Sequence, residues 1–316
     1  MPTSTRHHLL VGADGSVRPV LFRQKKVFSV TQRKAEFLLA AIISARATSL
    51  VFTKFALREM GTFNLLFLRF LTGFILLFFL FFKRLIHIKW STAWRGMVLG
   101  TVFFVIMSLE VTAAHSTPAA TISALVNTAI IMVPLLNAVL LHRKPQRADL
   151  LSAAGAVIGV ILLNWTGQGL RFHTGELFCL LEAVLYACAI VLTDRFSHHE
   201  QDTLALGVIQ IGTLGALALI ASLLLEQPHL PQQPIAWISI LALAVVCTGF
   251  GFTLQPVAQR HTNAEAAGLM CAVNPVVATA CGIFVLHESI AALNLFGIVL
   301  IVGSLLLPHL RKGNGI

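Results

Sequence analysis

Along most of its length the chain alternates long apolar runs with short polar breaks. Ten of the runs approach the roughly 20 mostly apolar residues needed to cross a hydrocarbon core about 30 Å thick. They fall near residues 35–57, 62–82, 93–113, 119–141, 149–165, 175–195, 203–225, 236–258, 264–286 and 293–309. The breaks are short, which predicts one bundle of helices. The pattern predicts an all-α integral membrane protein with ten transmembrane helices. A basic tail (1–34) precedes a first five-helix segment (35–165) and a second (175–310).

Composition agrees with this. Hydrophobic residues make up 57% of the 316 positions and charged residues 11%, with a mean hydropathy of +0.84. Soluble chains are nearer a quarter charged. The formal net charge of +10 would suggest a nucleic-acid partner, but its placement does not. Of 23 Lys and Arg, 18 lie on alternate connections and at the two ends, including Arg23, Lys25, Lys26, Lys83, Arg84, Arg143, Lys144, Arg195, Arg260 and Arg311. Such a bias places both termini in the cytoplasm of a multi-pass inner-membrane protein. The basic tail then lies against anionic lipid, disordered or along the surface. It carries no run resembling the apolar core of a cleavable signal. Trp90, Trp94, Trp165 and Trp237 close predicted segments, as an interfacial belt requires. The cysteines, Cys179, Cys188, Cys247, Cys271 and Cys281, lie inside segments and form no metal- or disulfide-type spacing.

The two halves resemble each other. Thr117, Ala119, Leu141 and His142 match Thr262, Ala264, Leu286 and His287 at an offset of 145. Glu36, Ala47, Val51 and Thr53 match Glu176, Ala187, Val191 and Thr193 at 140. Five is odd, so the second half enters the membrane from the opposite face, giving two inverted five-helix repeats. Inverted repeats place a substrate site near the midplane, between the halves. Pro134 and Pro275 interrupt the repeat-related fourth and ninth helices, with Asn127 and Asn274 beside them. Bent helices lining a path are one reading, and a static packing kink the other.

Ionisable groups at membrane depth are costly and therefore candidates for function. Arg46 lies in the first helix, Glu110 in the third and Glu182 in the sixth. Glu110 matches Gln255 across the repeat, and Arg46 matches Tyr186, one turn from Glu182. The expected substrate-binding set is Arg46, Glu110, Glu182, Tyr186, Gln255, Asn127 and Asn274. In one reading Arg46 engages a substrate carboxylate or one Glu, and the other Glu binds an amine or a proton. In the other, Arg46 and a Glu form a structural pair. Lys54, Arg69 and His115 lie nearer segment ends, where long side chains snorkel, and Arg69 is read as structural. The spacings Gly96-x-x-x-Gly100 and Gly155-x-x-x-Gly159 favour close helix packing and also admit a homodimer. No nucleotide-binding, zinc-hydrolase or serine-hydrolase motif occurs, so no cofactor or enzymatic activity is expected.

With its two halves, Lys54, Arg69-Phe70, Leu286-His287-Glu288 and the glycines Gly155, Gly159, Gly297 and Gly303, the chain resembles the drug/metabolite transporter superfamily, EamA type, over about residues 35–310. The resemblance implies ten helices around a cavity, alternating access, and export or exchange of small metabolites, often amino acids. Two positions depart from the family pattern. Arg46-Ala47 stands where Trp-Gly is common, and Arg143 where an acidic residue is common. The expected function is a secondary transporter of small polar metabolites, with protons as the candidate coupling ion. A lipid-linked sugar flippase and a non-transporting receptor or scaffold are the alternatives.

Overall fold

The computed structural model describes residues 10–11, 17–18, 47–140, 147–166, 169–170, 172–199, 202–250 and 273–313. The chain divides into two units, Met1–Thr31 and Gln32–Ile316. In the first, β1 (Leu10–Val11) and β2 (Val17–Arg18) pair antiparallel, so the basic tail holds a short ordered pairing that its composition did not announce.

The second unit is helical. Its helices are α1 (Ser49–Ala56), α2 (Thr62–Leu80), the short α3 (Phe82–Leu85), α4 (Trp90–Ala114), α5 (Ala119–Leu140) and α6 (Arg147–Leu163). After a two-residue hairpin, β3 (Trp165–Thr166) with β4 (Gly169–Leu170), come α7 (Thr174–His199), α8 (Thr203–Leu225), α9 (Pro234–Leu241), α10 (Val273–Phe284) and α11 (Ala292–Gly313). Among the described residues five stretches are long and apolar enough to cross a membrane: Thr62–Leu80, Trp90–Ala114, Ala119–Leu136, Thr174–Thr193 and Thr203–Leu225. Three shorter apolar stretches accompany them, Pro234–Gly249, Asn274–Phe284 and Ala292–Leu307. The outward faces are apolar, with Phe79, Leu80, Val157, Leu224 and Leu225 among the exposed side chains. Trp90, Trp94, Trp165 and Trp237 are exposed at element ends.

One element departs from the expected regular helix. α9 passes directly into a π-helix, Ala242–Phe250, that packs on α2. There Arg69 Nε donates to Thr248 Oγ1 at 3.2 Å, and the Arg69 guanidinium lies 4.8 Å from the Phe70 ring centre. Arg69 is 5% exposed, so it does not snorkel to an interface; a hydroxyl presented by the widened turn meets it inside the bundle. α5 runs through Pro134 without a break in assignment, whereas Pro275 falls in the first turn of the described α10.

Helices of the first half pack mainly on helices of the second. α2 lies on α8, α6 on α11 and α5 on α10, and each of these pairs joins repeat-related segments. Three further contacts also have related counterparts. α4 against α8 is matched by the π-helix against α2, α4 against α7 by α9 against α1, and α5 against α7 by α10 against α1. Exchanging the halves reproduces these contacts, although α11 also packs on α5 without a comparable contact of α6 on α10 among the described residues. Because lipid is as apolar as leucine, van der Waals contact between small residues holds such helices together. The Gly159 and Gly297 backbones meet. A Cβ built on Gly159 falls 2.9 Å from the Gly297 carbonyl oxygen, and one on Gly297 falls 2.8 Å from that of Gly159. Gly100 approaches α8 in the same way, 2.7 Å from the Gln210 carbonyl oxygen. The glycine spacings thus serve packing within the chain, although Gly303 faces open space.

Helix ends on one side are joined by carboxylates from distant sequence. The Glu226 carboxylate, just past α8, accepts from Phe63 N at 3.1 Å and Asn64 N at 2.8 Å at the start of α2. In return Glu59, just before α2, accepts from Gln232 N and, at 3.2 Å, from Gln233 N at the start of α9. His229 joins the two. Its Nδ1 lies 3.1 Å from the Gln227 carbonyl oxygen and its Nε2 3.2 Å from that of Glu59. Donating at both nitrogens requires the imidazolium, so these two bonds raise the His229 pKa above its ordinary 6.5, with Glu59 and Glu226 adding attraction.

Two outcomes are expected. Gly297→Leu forces α6 and α11 apart and destabilises the protein by about 1–3 kcal/mol or more, read as a lower thermal midpoint and a broadened elution profile. The His229 contribution is fully present below the ordinary histidine pKa and is lost as pH rises through the raised folded value. The thermal midpoint of the protein therefore exceeds that of His229→Ala most at about pH 5.5, and the gap closes as the pH is raised.

Candidate functional site in the helix interface

α7 turns one face outward, through Leu177, Leu181, Val184 and Cys188. The opposite face, with Cys179, Glu182, Ala183 and Ala187, turns inward against α4 and α5. The period of 3.6 that places alanines at this crossing also places Glu182 there. Glu182 is fully buried, and among the described residues neither carboxyl oxygen has a hydrogen-bond partner. Glu110 on α4 lies close enough to couple with it electrostatically, and both carboxyls act on Cys179. One turn along α7 the Tyr186 ring stands edge-on to Phe103 of α4, centroids 6.0 Å apart at 87°, and packs beside Ala129 and Val133 of α5.

The structure thus brings Glu110, Glu182 and Tyr186 together. Arg46 and Gln255 lie outside the described residues. Asn127 is buried but turns back on its own helix, donating to the Ser123 carbonyl at 2.6 Å. Its amide is thereby used by a carbonyl one turn back on α5. Asn274 is half-buried on α10. Thr279 similarly donates to the Pro275 carbonyl at 2.7 Å. Two carboxyls side by side in an apolar setting are costly unless a proton or a cationic group lies between them. That is the chemistry the arrangement can perform.

A second polar centre lies at the end of α1. Lys54 Nζ is 2.7 Å from Glu288 Oε1, in the turn that closes α10. The same carboxylate accepts from Ala119 N, at 3.0 Å to Oε1 and 2.9 Å to Oε2, and so caps α5. Two features aim it there. His287 adopts a left-handed φ of 54°, and Gly282 leaves room where a Cβ would stand 2.6 Å from Glu288 Oε2. Beside this pair opens a cavity of about 310 Å³ lined by Lys54, Leu57, Arg58, Ala114, His115, Leu286 and Glu288. The sequence marked Lys54 and Glu288 separately. Their pairing, 234 residues apart, had no local signal.

With this geometry the chain matches known proteins along most of its length. The EamA-like transporter family matches residues 34–165 and again 173–308. A protein of Archaeoglobus fulgidus named as an uncharacterized transporter is 24% identical over 81% of this chain and 90% of its own length. A Salmonella typhimurium protein named as a probable amino-acid metabolite efflux pump is 29% identical over 54% of this chain and 60% of its own. A crystal structure titled only as that of a protein shares the fold, with a TM-score of 0.65 at 18% identity over 90% of this chain and the whole of that one.

If Glu182 were half of a structural ion pair, removing it would cost about 3–5 kcal/mol. With no partner for its carboxyl among the described residues, Glu182→Met is expected to leave the thermal midpoint unchanged or to raise it. Differential scanning fluorimetry on the purified chain decides between the two.

Proposed function

The chain belongs to the EamA-like transporter family, and we propose that it moves small polar metabolites, amino acids or close relatives, across the inner membrane by alternating access. In this reading ten helices cross the bilayer as two inverted repeats, and both termini are cytoplasmic. The charge bias of the connections supports that orientation. Support for the substrate class comes from the Salmonella typhimurium relative, whose name describes amino-acid metabolite efflux.

The observation that carries the reading is the buried Glu182 carboxyl beside Glu110, without a hydrogen-bond partner among the described residues, in the interface between the third and sixth segments. An unpaired carboxyl in a membrane interior is a group whose charge must be met by something that arrives. A substrate ammonium meets it directly, and a proton meets it when substrate is absent. Competition of the two for one carboxyl couples proton and substrate without a metal or a nucleotide. Tyr186 bounds the site on one side, and its hydroxyl offers a neutral donor and acceptor.

The test is counterflow in proteoliposomes across a panel of amino acids, amines and carboxylic acids. Saturable exchange whose rate depends on pH is expected. Glu182→Gln should abolish the pH dependence and slow exchange by about tenfold or more, while the yield of folded protein is kept. A Glu182→Gln protein that exchanges with the original pH profile would remove the carboxyl from the mechanism.

A further inference from the structure

We propose that the cavity beside the Lys54–Glu288 pair is a second, peripheral binding site for a zwitterion with an apolar body, occupied by exchange with that internal ion pair. The inference rests on the transporter reading but concerns a different place in the molecule. Lys54, Glu288 and Ala119 stand at the ends of α1, α10 and α5, and neither Glu110 nor Glu182 lines the cavity, whose wall residue Ala114 lies one turn beyond Glu110 on α4.

Three features define the ligand. First, the cavity offers both signs of charge. Lys54 and Glu288 are already paired, with side chains 20% and 11% exposed, so each remains reachable from the cavity. A molecule carrying a carboxylate and an ammonium on adjacent atoms replaces one internal pair by two intermolecular ones, and no charge is left uncompensated. A simple anion or a simple amine satisfies one partner and strands the other, which is costly at this degree of burial. Second, Arg58 and His115 also line the cavity, and among the described residues neither is paired with a carboxylate. Arg58 stacks on Phe55 at 5.0 Å, and His115 Nε2 lies 3.2 Å from Thr62 Oγ1. The carboxylate end of a ligand is therefore drawn to the Lys54–Arg58 side and the ammonium end to Glu288. Third, the rest of the wall is Leu57, Ala114 and Leu286, so the side chain it accepts is apolar. A volume of about 310 Å³ is at the small end of ligand sites, in keeping with a single small metabolite.

Occupancy also acts on the fold. Glu288 holds α1 through Lys54 and α5 through Ala119 while belonging to the turn after α10. A ligand ammonium on Glu288 releases Lys54, and with it the tie between α1 and the turn after α10, while the α5 cap persists. The mouth is then read as an entry or exit station that loosens when a zwitterion arrives.

The probes are leucine, leucinamide, which keeps the ammonium alone, and N-acetylleucine, which keeps the carboxylate alone. Binding of labelled leucine is measured on the full chain carrying Glu182→Gln, so that the interior carboxyl does not contribute. Saturable leucine binding is expected, at least about tenfold tighter than either analogue in competition. Adding Lys54→Gln or Glu288→Gln should weaken it by about tenfold or more, whereas Lys54→Arg should restore most of it. Glu288→Gln keeps an oxygen acceptor for Ala119 N, and a monodisperse elution profile shows that the fold is kept. Absence of leucine binding, equal binding of the analogues, or binding unchanged by both Gln substitutions overturns the proposal. Counterflow with the unmodified chain separates the two ideas. Flux without this binding pattern sinks the peripheral site alone, and the binding pattern without flux sinks the transporter reading alone.

Discussion

Close backbone contact between the two halves is the constraint on which this structure depends. In water a helix pair is held by removing apolar surface from solvent, but in hydrocarbon that driving force is absent between helices. What remains is atomic contact, and it is largest where no side chain intervenes. The reciprocal approach of Gly159 and Gly297 joins α6 to α11, and Gly100 brings α4 onto α8. These contacts run across the halves, so neither half has a complete set of partners without the other. The position of Glu182 follows from this. It faces inward because the small residues that share its face, Ala183 and Ala187, bring α7 close to α4 and α5.

Much of this was legible in the sequence because its causes are local or periodic. Apolar runs gave the helices, and the Lys and Arg bias gave an expected orientation. Glycines four apart indicated close approach. Glu110 and Glu182 were marked by their cost at membrane depth and Tyr186 by helical spacing, and the structure sets them near one another. Other features have causes that no window of sequence contains. Ala242–Phe250 reads as an ordinary apolar segment, and its π-helical form becomes intelligible only with Arg69 and Thr248 facing each other from α2. Asn127 was marked as a polar group beside a proline, yet a neighbouring carbonyl one turn away takes its amide. The role of Glu288 depends on Gly282 leaving room and on His287 taking a left-handed turn, and neither residue type announces this.

The polar centres differ in how their charges are met. Glu288 has a lysine and a backbone amide, Arg69 a hydroxyl and an aromatic face, and Glu226 and Glu59 the open ends of helices. Among the described residues Glu182 has a second carboxyl. Where charge is met by groups built into the protein, the arrangement is self-sufficient. Where the described neighbour is a group of the same sign, the described residues leave the charge unmet. A membrane protein keeps such a position at a cost in stability, and in the proposed mechanism a visiting cation or proton removes that cost.

The carboxylates that close helix ends impose an order on biosynthesis. Phe63 and Asn64 begin α2 early in the chain, but Glu226 follows them by 163 and 162 residues, and Glu288 follows Ala119 by 169. At translation rates of about 5–20 residues per second, the first-half helices wait roughly 8–35 s for the groups that complete them. During that interval their terminal amides have only water and lipid headgroups for partners, which holds those ends at the membrane surface. The nascent first half is thus kept in register with the interface until the second half arrives to take the place of the water.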